Sequence, residues 1–407
     1  MSSAETAELV TFYAGPFNAA VLRGHAVTSP LGLWLLLALA GPATSGVVRD
    51  EVEAVLGTSV DDAAARAAEL LGEPHPAVTA LAAVWDRNLG QAFDAWARTL
   101  PDVVARGPIP SQAEANTWAQ THSRGLIDEF PLRIDRLTRV LLASALATDI
   151  TWRTPLDTTE GLGGEFGALI SRGLTMRHGT QAVVDTDAAG LVAVAAPHTR
   201  SALDVLSVIA APGVAPADVD AAAHQVAALL RGDDRAARRI PDEDLVAGHA
   251  WTVTERRERR NGGPSVQTEW RSHVPAWSAS STHDLKDAPG VAPIVSALTG
   301  FLAEGDRPAT FGAAQTTVAS YTMSGFKAAA VTAIGLVAAG MPTLHEVLVK
   351  RIEVRFNRPY AVLACAARDE GPPAWRGVPV FSAWVERPDE TAATAVGAPR
   401  PVPVRTS

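Results

Sequence analysis

The sequence predicts an α+β fold, because its helical and strand-like segments are segregated along the chain. Apolar residues recur at helical spacing in residues 4–18, 31–39, 49–56, 61–71 and 116–130. From Val140 onward the apolar runs are short and strand-like. Helices followed by mostly strands indicate an α+β protein and not an alternating parallel sheet.

Each predicted helix has its own local signal. Residues 31–40 form the longest apolar run, about half a membrane span, and follow Pro30, a residue favoured at the first position of a helix. We therefore expect a buried core helix here and not a membrane span. Residues 61–71 are rich in Ala and Glu, which favour helix. In residues 116–130 the helical spacing is broken at Gly125.

The predicted strands occupy residues 141–152, 203–211, 251–259 and 265–273. Asn261-Gly262-Gly263 separates the last two, and Asn-Gly is a strong signal for a hairpin turn. We therefore expect these two strands to form a β-hairpin. No linker or internal repeat interrupts residues 1–388, which we expect to form a single domain, while residues 389–407, rich in Ala, Thr and Pro, are expected to form a flexible tail.

Composition excludes several classes of protein. The chain has 407 residues, 47% of them hydrophobic, so it is not wholly disordered. Its single cysteine, Cys365, permits neither an internal disulfide nor a cysteine-based zinc site. A net charge of -9 argues against nucleic acid as a partner. The first twenty residues carry Glu5 and Glu8 and no basic start, so we expect no signal peptide, no membrane partner and a cytoplasmic location.

Motifs for catalysis and cofactors are nearly absent. His345-Glu346 lacks the second histidine of a zinc-protease helix, and there is no Walker loop, so we expect neither a metal nor a cofactor. One enzymatic pattern occurs, the Ser-x-x-Lys of Ser324-Gly325-Phe326-Lys327, in which a helical turn brings the Lys to a nucleophilic Ser. Its usual companions, Ser-Asp-Asn and Lys-Thr-Gly, are missing. The sequence therefore favours a protein that is not an enzyme, without deciding the question.

A set of short motifs runs in a fixed order from about residue 7 to residue 388. They are Val27-Thr28-Ser29-Pro30-Leu31; Asn116-Thr117-Trp118 with Gly125-Leu126-Ile127; residues 141–155 with Trp152 and the exit Thr154-Pro155-Leu156; Val274-Pro275-Ala276-Trp277 with Ser281-Thr282-His283-Asp284-Leu285-Lys286-Asp287; Phe356-Asn357-Arg358-Pro359-Tyr360; and Pro379-Val380-Phe381. In this order the motifs resemble the serpin family of serine-protease inhibitors. The resemblance implies one domain of about eight or nine helices and three β-sheets, with a serine protease as partner.

The resemblance also implies an exposed reactive-centre loop within residues 325–349, which a protease cuts and which then inserts into the main sheet. The implied hinge of this loop consists of Gly325, Phe326, Lys327, Ala328, Ala329, Ala330, Val331 and Thr332. Residues 328–333 are small and uncharged, so they can enter a sheet without burying a charge.

Family spacing from Gly325 places the scissile bond at Ala339-Gly340, with Met341 and Leu344 as alternatives. Alanine before the cut implies a protease with a small-residue pocket, of the elastase or subtilisin type. An ordinary apolar strand or helix is the alternative interpretation of residues 333–344.

Several residues depart from the family pattern. Phe326 replaces a small residue and Lys327 a Glu at the hinge, and Met323 replaces an acid just before it. In the region that opens the main sheet, near Ser29, the resemblance implies Asn and His where this chain has Ser144 and Gln315. Two functions therefore stay open: a suicide-substrate inhibitor, and a non-inhibitory serpin-fold protein that binds a ligand or partner or acts in a biosynthetic pathway. The oligomeric state is also open.

Overall fold

A computed structural model describes residues 3–87, 89–261, 264–301, 313–326, 344–368 and 370–390. The predicted scissile residues Ala339, Gly340 and Met341 lie outside the described residues, as do hinge residues 327–332. The tail beyond residue 390 also lies outside them, whereas Asp389 is bonded to the body of the protein, its amide donating to the Ala276 carbonyl at 2.8 Å.

The described ranges contain nine α-helices. They are α1 (Ser3–Val21), α2 (Pro30–Ala40), α3 (Gly46–Leu56), α4 (Val60–Gly72), α5 (Gln91–Ala97), α6 (Gln112–His122), α7 (Gly164–Gly167), α8 (Pro216–Leu230) and α9 (Val291–Thr299). The prediction of a buried helix after Pro30 is confirmed, since all but one residue of α2 is buried. Helix α6 ends earlier than predicted, because Arg124 and Gly125 take left-handed conformations with φ of 56° and 75°.

The strands of the described ranges dominate the rest of the chain. They are β1 (Ala26–Thr28), β2 (Val78–Asp86), β3 (Ala105–Pro108), β4 (Val140–Thr148), β5 (Ile150–Thr151), β6 (Asp157–Glu160), β7 (Arg172–Met176), β8 (Gly179–Thr186), β9 (Gly190–Pro197), β10 (Leu203–Ile209), β11 (Ala237–Arg239), β12 (Trp251–Asn261), β13 (Val266–Val274), β14 (Trp277–Asp284), β15 (Ala314–Tyr321), β16 (Gly325–Phe326), β17 (Leu344–Arg355), β18 (Tyr360–Ala366) and β19 (Pro379–Val385). The α+β prediction is confirmed, although β2 and β3 lie in the part of the chain expected to be helical.

Where three sheets were expected, the described strands form four hydrogen-bonded sheets. Their orders are β1-β19-β18-β10-β9-β8-β11, β12-β17-β13-β7-β6, β14-β15-β16-β5 and β3-β2-β4. The last two meet where the chain passes from β4 through Asp149 into β5. The extra sheet arises because β4 and β15 both line the same space without a backbone ladder between them in the described part of the chain. This gap is the candidate functional site.

The predicted hairpin between β12 and β13 is wrong. These two strands do not pair; β17 lies between them, antiparallel to β12 and parallel to β13. The turn signal at Asn261 is local, whereas β17 satisfies the backbone groups of both strands and buries its own Val347 and Val349. A partner from far along the chain therefore overrides the local preference.

We expect stability to fall in mild acid because of His273 in β13. Its side chain is buried and its Nδ1 lies 3.1 Å from the Thr175 hydroxyl. Burial, with Arg355 nearby, lowers the pKa of His273 from 6.5 to about 4. Between these values the unfolded chain binds a proton that the folded chain does not, so lowering the pH from 7 to 4.5 removes about 2–3 kcal/mol of unfolding free energy.

Urea unfolding at pH 7 and pH 4.5 measures this loss, and the His273→Gln variant is expected to reduce it. The exposed His178, changed to Gln, is the matched control. An equal loss in wild type and the His273→Gln variant would contradict the assignment.

Candidate functional site: the gap between strands β4 and β15

The gap is an apolar space bounded by β4 on one side and β15 on the other. Two cavities of about 60 and about 90 Å³ occupy it and share several lining residues, so they adjoin. Leu33 and Leu36 of α2 form its floor, Leu142 contributes from β4, and Ala314 from β15. The gap therefore has apolar walls and strand edges on both sides, which suits a further strand more than a polar substrate.

The predicted sheet-opening residues meet at the start of α2. The Gln315 amide is bonded to the Ser29 backbone twice, since its Oε1 accepts from the Ser29 amide and its Nε2 donates to the Ser29 carbonyl, both at 2.9 Å. The Ser144 hydroxyl donates to the Gly32 carbonyl at 2.9 Å. Each strand edge is thus fastened to the same helix by one polar side chain.

Gly32 allows these two side chains to converge. A Cβ atom at this position would lie 3.2 Å from the Ser144 Oγ and 3.3 Å from the Gln315 Nε2, closer than most real contacts. A side chain at Gly32 would therefore displace the side chains of Ser144, Gln315 and Leu146, whose Cδ1 would lie 3.0 Å away, and disturb the two hydrogen bonds to α2. This role of Gly32 has no signal in the sequence, because the residue lies within an apolar helical run and its neighbours come from distant segments.

One end of the gap already holds a short strand. Gly325 and Phe326 of β16 pair with Thr151 and Ile150 of β5 on one side. On the other side, Phe326 pairs with Tyr321 of β15. Both pairings are antiparallel, so β5 and β15 run parallel with the width of a single strand between them.

The turn that leads into β16 is well bonded. Between Thr322 and Gly325, the Thr322 amide donates to the Gly325 carbonyl at 2.9 Å, and the Gly325 amide donates to the Thr322 hydroxyl at 3.2 Å. The Trp152 amide donates to the Ser324 carbonyl at 3.0 Å. Ser324 is buried in this turn and strand β16 follows it, so residues 324–326 do not form the helical turn that the Ser-x-x-Lys pattern requires; Lys327 lies outside the described residues.

Phe326 is buried in a cluster of four aromatic side chains. Its ring packs edge-on against Trp277 with centroids 6.1 Å apart, and Trp277 stacks on Tyr321. Tyr321 in turn contacts Trp152, whose Nε1 donates to the Thr322 carbonyl at 3.0 Å. Burial raises the pKa of the Tyr321 hydroxyl, so it stays neutral. The large ring at the hinge is therefore accommodated by an apolar site and faces the core.

Replacing Phe326 by Ala is expected to lower the unfolding free energy by about 3 kcal/mol, because it empties an aromatic site in the core. The matched control is Phe12→Ala, since Phe12 is 56% exposed and its loss should cost well under 1 kcal/mol. Denaturant unfolding of both variants measures the difference. Equal, small losses would show that the Phe326 ring contributes little to holding β16.

Of the four residues predicted around the scissile bond, Leu344 alone lies within the described residues. Leu344, the alternative cleavage position, is the first residue of β17 and its backbone pairs with Asn261.

No family model matches the chain. The chain is similar in structure to Tengpin, a thermophilic serpin solved in its native state, with a TM-score of 0.63, 14% identity and 95% of each chain covered. Serpin48 of the insect Tenebrio molitor gives a TM-score of 0.58 at 13% identity, over 95% of this chain and 98% of the other. Human thyroxine-binding globulin gives 0.61 at 14% identity, over 95% and 98%. At this identity the likeness concerns the fold, and it extends over nearly the whole chain.

Proposed function

We propose, starting from the serpin fold of this chain, that it is a suicide-substrate inhibitor of a serine protease with a small-residue pocket. The protease serine attacks the carbonyl carbon of Ala339, forming an ester, and the amine of Gly340 leaves with the proton. The freed segment then enters the gap between β4 and β15 as a new strand before water reaches the ester. The protease remains covalently attached and inactive.

The observation that carries this proposal is the register of β16. If the loop extends β16 in the same antiparallel register, each residue after Phe326 pairs on one side with the preceding residue of β5 and then β4. On the other side it pairs with the preceding residue of β15. Thr332, six residues on, then falls opposite both Ser144 and Gln315. The hinge thus leads directly to the two polar side chains that bridge the gap to α2.

The same register matches the residue types of the loop to the walls of the gap. In the inserted strand Ala328, Ala330 and Thr332 would share the face of Phe326, which points toward the core, and all three are small. Lys327 would point to the opposite face and would fall opposite Asp149, which is exposed. Insertion therefore buries small side chains and leaves the one charge at the surface beside an opposite charge.

The length of the loop fits cleavage at Ala339. Extended from Phe326, the inserted strand reaches Val140, the first residue of β4, at Leu336. Two residues, Val337 and Ala338, remain before Ala339, so a protease attached there would have been carried to the far end of the gap. Leu344 fits less well, because its backbone is committed to the ladder with β12.

A second candidate function is ligand binding without inhibition. It is favoured by the fact that thyroxine-binding globulin, which has this fold, was solved in complex with thyroxine. In that case the loop would be cut without trapping the protease.

Mixing the protein with subtilisin or pancreatic elastase tests the two candidates. An inhibitor should form an adduct with each that survives denaturing electrophoresis, with loss of protease activity and release of a fragment that begins at Gly340. An Ala339→Arg variant, which does not fit a small pocket, should lose the adduct. Cleavage with full recovery of protease activity would overturn inhibition and favour the second candidate.

A further inference from the structure

Two ionisable side chains, Asp220 and His224, are buried one turn apart on helix α8. They are 3% and 6% exposed. Asp220 Oδ1 and both ring nitrogens of His224 have no hydrogen-bond partner among the described residues. The His224 Nε2 lies 3.9 Å from Asp220 Oδ2, which is too far for a hydrogen bond between them.

This pair does not have the properties of a stabilising contact. Burial raises the pKa of Asp220 and lowers the pKa of His224, so the fold disfavours the charged form of both side chains. Exchanging a buried polar pair of this kind for apolar residues often leaves a protein equally or more stable. A reason for an acid at residue 220 must therefore come from the neighbours to which it is bonded.

The other oxygen of Asp220 begins a chain of buried hydrogen bonds that leads to the gap. Asn18 of α1 donates from its Nδ2 to Asp220 Oδ2 at 2.9 Å. The Asn18 Oδ1 accepts from the hydroxyl of Thr28 in β1 at 2.8 Å. Asn18 and Thr28 are 4% and 0% exposed, so water does not replace either bond readily. The chain thus joins α8 to β1 through one side chain of α1.

Thr28 is followed by Ser29, the residue to which one edge of the gap is fastened. The Ser29 amide donates to Gln315 Oε1 and the Ser29 carbonyl accepts from Gln315 Nε2, both at 2.9 Å. The Ser29 hydroxyl donates to the Val380 carbonyl at 2.7 Å. Because the Ser29 amide shares a rigid peptide plane with the Thr28 carbonyl, a displacement of Thr28 moves the donor that holds Gln315.

Asp220 determines which way the Asn18 amide faces. A carboxylate oxygen accepts hydrogen bonds and does not donate them, so it takes the Nδ2 end of Asn18 and leaves the Oδ1 end for Thr28. Without this acceptor, Asn18 Nδ2 would be a buried donor with no partner, and the side chain would have to turn or move. The Thr28 hydroxyl would then keep only its longer contact, 3.4 Å to the Ser382 carbonyl.

We propose that Asp220 is a positioning residue for the gap: through Asn18 and Thr28 it sets the place of Ser29 and thereby keeps Gln315 bonded to the start of α2. The consequence for inhibition rests on the function proposed above, whereas the positioning of Ser29 does not. Closure of the gap is therefore controlled in part from α8, a helix that does not line it.

Hydrogen exchange of the Ser29 amide tests the positioning, because this amide donates to Gln315. In the Asp220→Leu variant it should exchange about tenfold faster than in wild type. The Asp220→Asn variant keeps an oxygen that accepts from Asn18 and should restore the wild-type rate. His224→Leu is the matched control, since it changes the other buried side chain of the pair, one turn along α8, and should leave the rate unchanged.

The same exchange data separate positioning from a general loosening of α8. A loosened helix would exchange faster along its whole length, whereas we expect the amides of α8 to exchange at the wild-type rate. The Thr28→Val variant breaks the chain at its other end, so it should match Asp220→Leu, and the double variant should show no further increase. Unchanged exchange at Ser29 in Asp220→Leu, or an equal increase in His224→Leu, would overturn the proposal.

A second test measures the consequence for inhibition. A gap that opens more readily should raise the limiting rate of subtilisin inactivation in Asp220→Leu by about threefold, less than the effect on exchange, because opening is only partly complete in the rate-limiting step. Faster exchange without a faster limiting rate, in a protein whose wild type does form the adduct, would overturn this consequence. If wild type forms no adduct, the proposed function fails, and the exchange comparison still decides the positioning.

Discussion

Cleavage within residues 337–343, beyond the segment that would insert, is expected to raise the midpoint of thermal unfolding by about 20 °C. An inserted strand from Lys327 to Leu336 would gain backbone hydrogen bonds to β4 and β15, each worth about 1 kcal/mol net. It would also fill the two apolar cavities of the gap. A gain of about 10 kcal/mol or more is comparable to the whole unfolding free energy of a typical protein. Measuring this gain does not require the target protease, because any protease that cuts there frees the inserting segment.

Differential scanning calorimetry before and after limited proteolysis measures this rise, with the cut located by mass spectrometry. A chain truncated after residue 390 is the control, so that trimming of the tail is not mistaken for cleavage of the loop. An unchanged or lower midpoint after a cut in the loop would contradict insertion and would favour ligand binding as the function.

The Ala330→Arg variant is expected to reduce this rise, and a protease that cuts its loop is expected to be released instead of trapped. Continued from β16, the strand register places Ala330 on the core face between Leu146 and Thr317, beside α2. Burying an unpaired guanidinium there costs several kcal/mol, which slows insertion by about a hundredfold or more. Water would then reach the acyl ester first.

Ala329→Arg is the matched control, because the neighbouring residue points to the opposite face, the one that carries Lys327. Both variants are mixed with subtilisin, and the moles of inhibitor consumed per mole of protease inactivated are compared. We expect a large increase for Ala330→Arg and a smaller one for Ala329→Arg. An equal effect at both positions would show that the register of β16 does not continue into the loop.

The effects of these variants depend on the polar side chains at the start of α2. Ser144 and Gln315 hold the two strand edges to the same helix, so opening the gap must strain or break these hydrogen bonds. The arriving Thr332 hydroxyl would fall between them and could replace the lost bonds. An inserted strand can therefore offer Ser144 and Gln315 new hydrogen bonds in place of those that close the gap.

Among the described helices, none is long and apolar enough to cross a membrane. The apolar run that raised the question is α2, which is buried beneath the strands of the gap. Its hydrophobic side chains pack in the core of the protein.

The sequence by itself determined the features whose causes are local. Pro30 before an apolar run specified the start of α2, because a preset φ acts within one turn, and Gly125 marked a break in the helical pattern that lies just after the end of α6. The order of the motifs was sufficient to predict the fold and to identify Ser29, Ser144 and Gln315 as neighbours in one region.

Only the tertiary structure decided which distant segment of the chain pairs with a given strand edge. The turn at Asn261 favoured a hairpin, yet β17 separates β12 from β13, because it satisfies the backbone of both strands and buries its own valines. Likewise, the local sequence does not reveal that Phe326 packs on Trp277, or that Gly32 leaves room for two polar side chains. Such contacts depend on the positions of residues far apart in the chain, which local patterns do not encode.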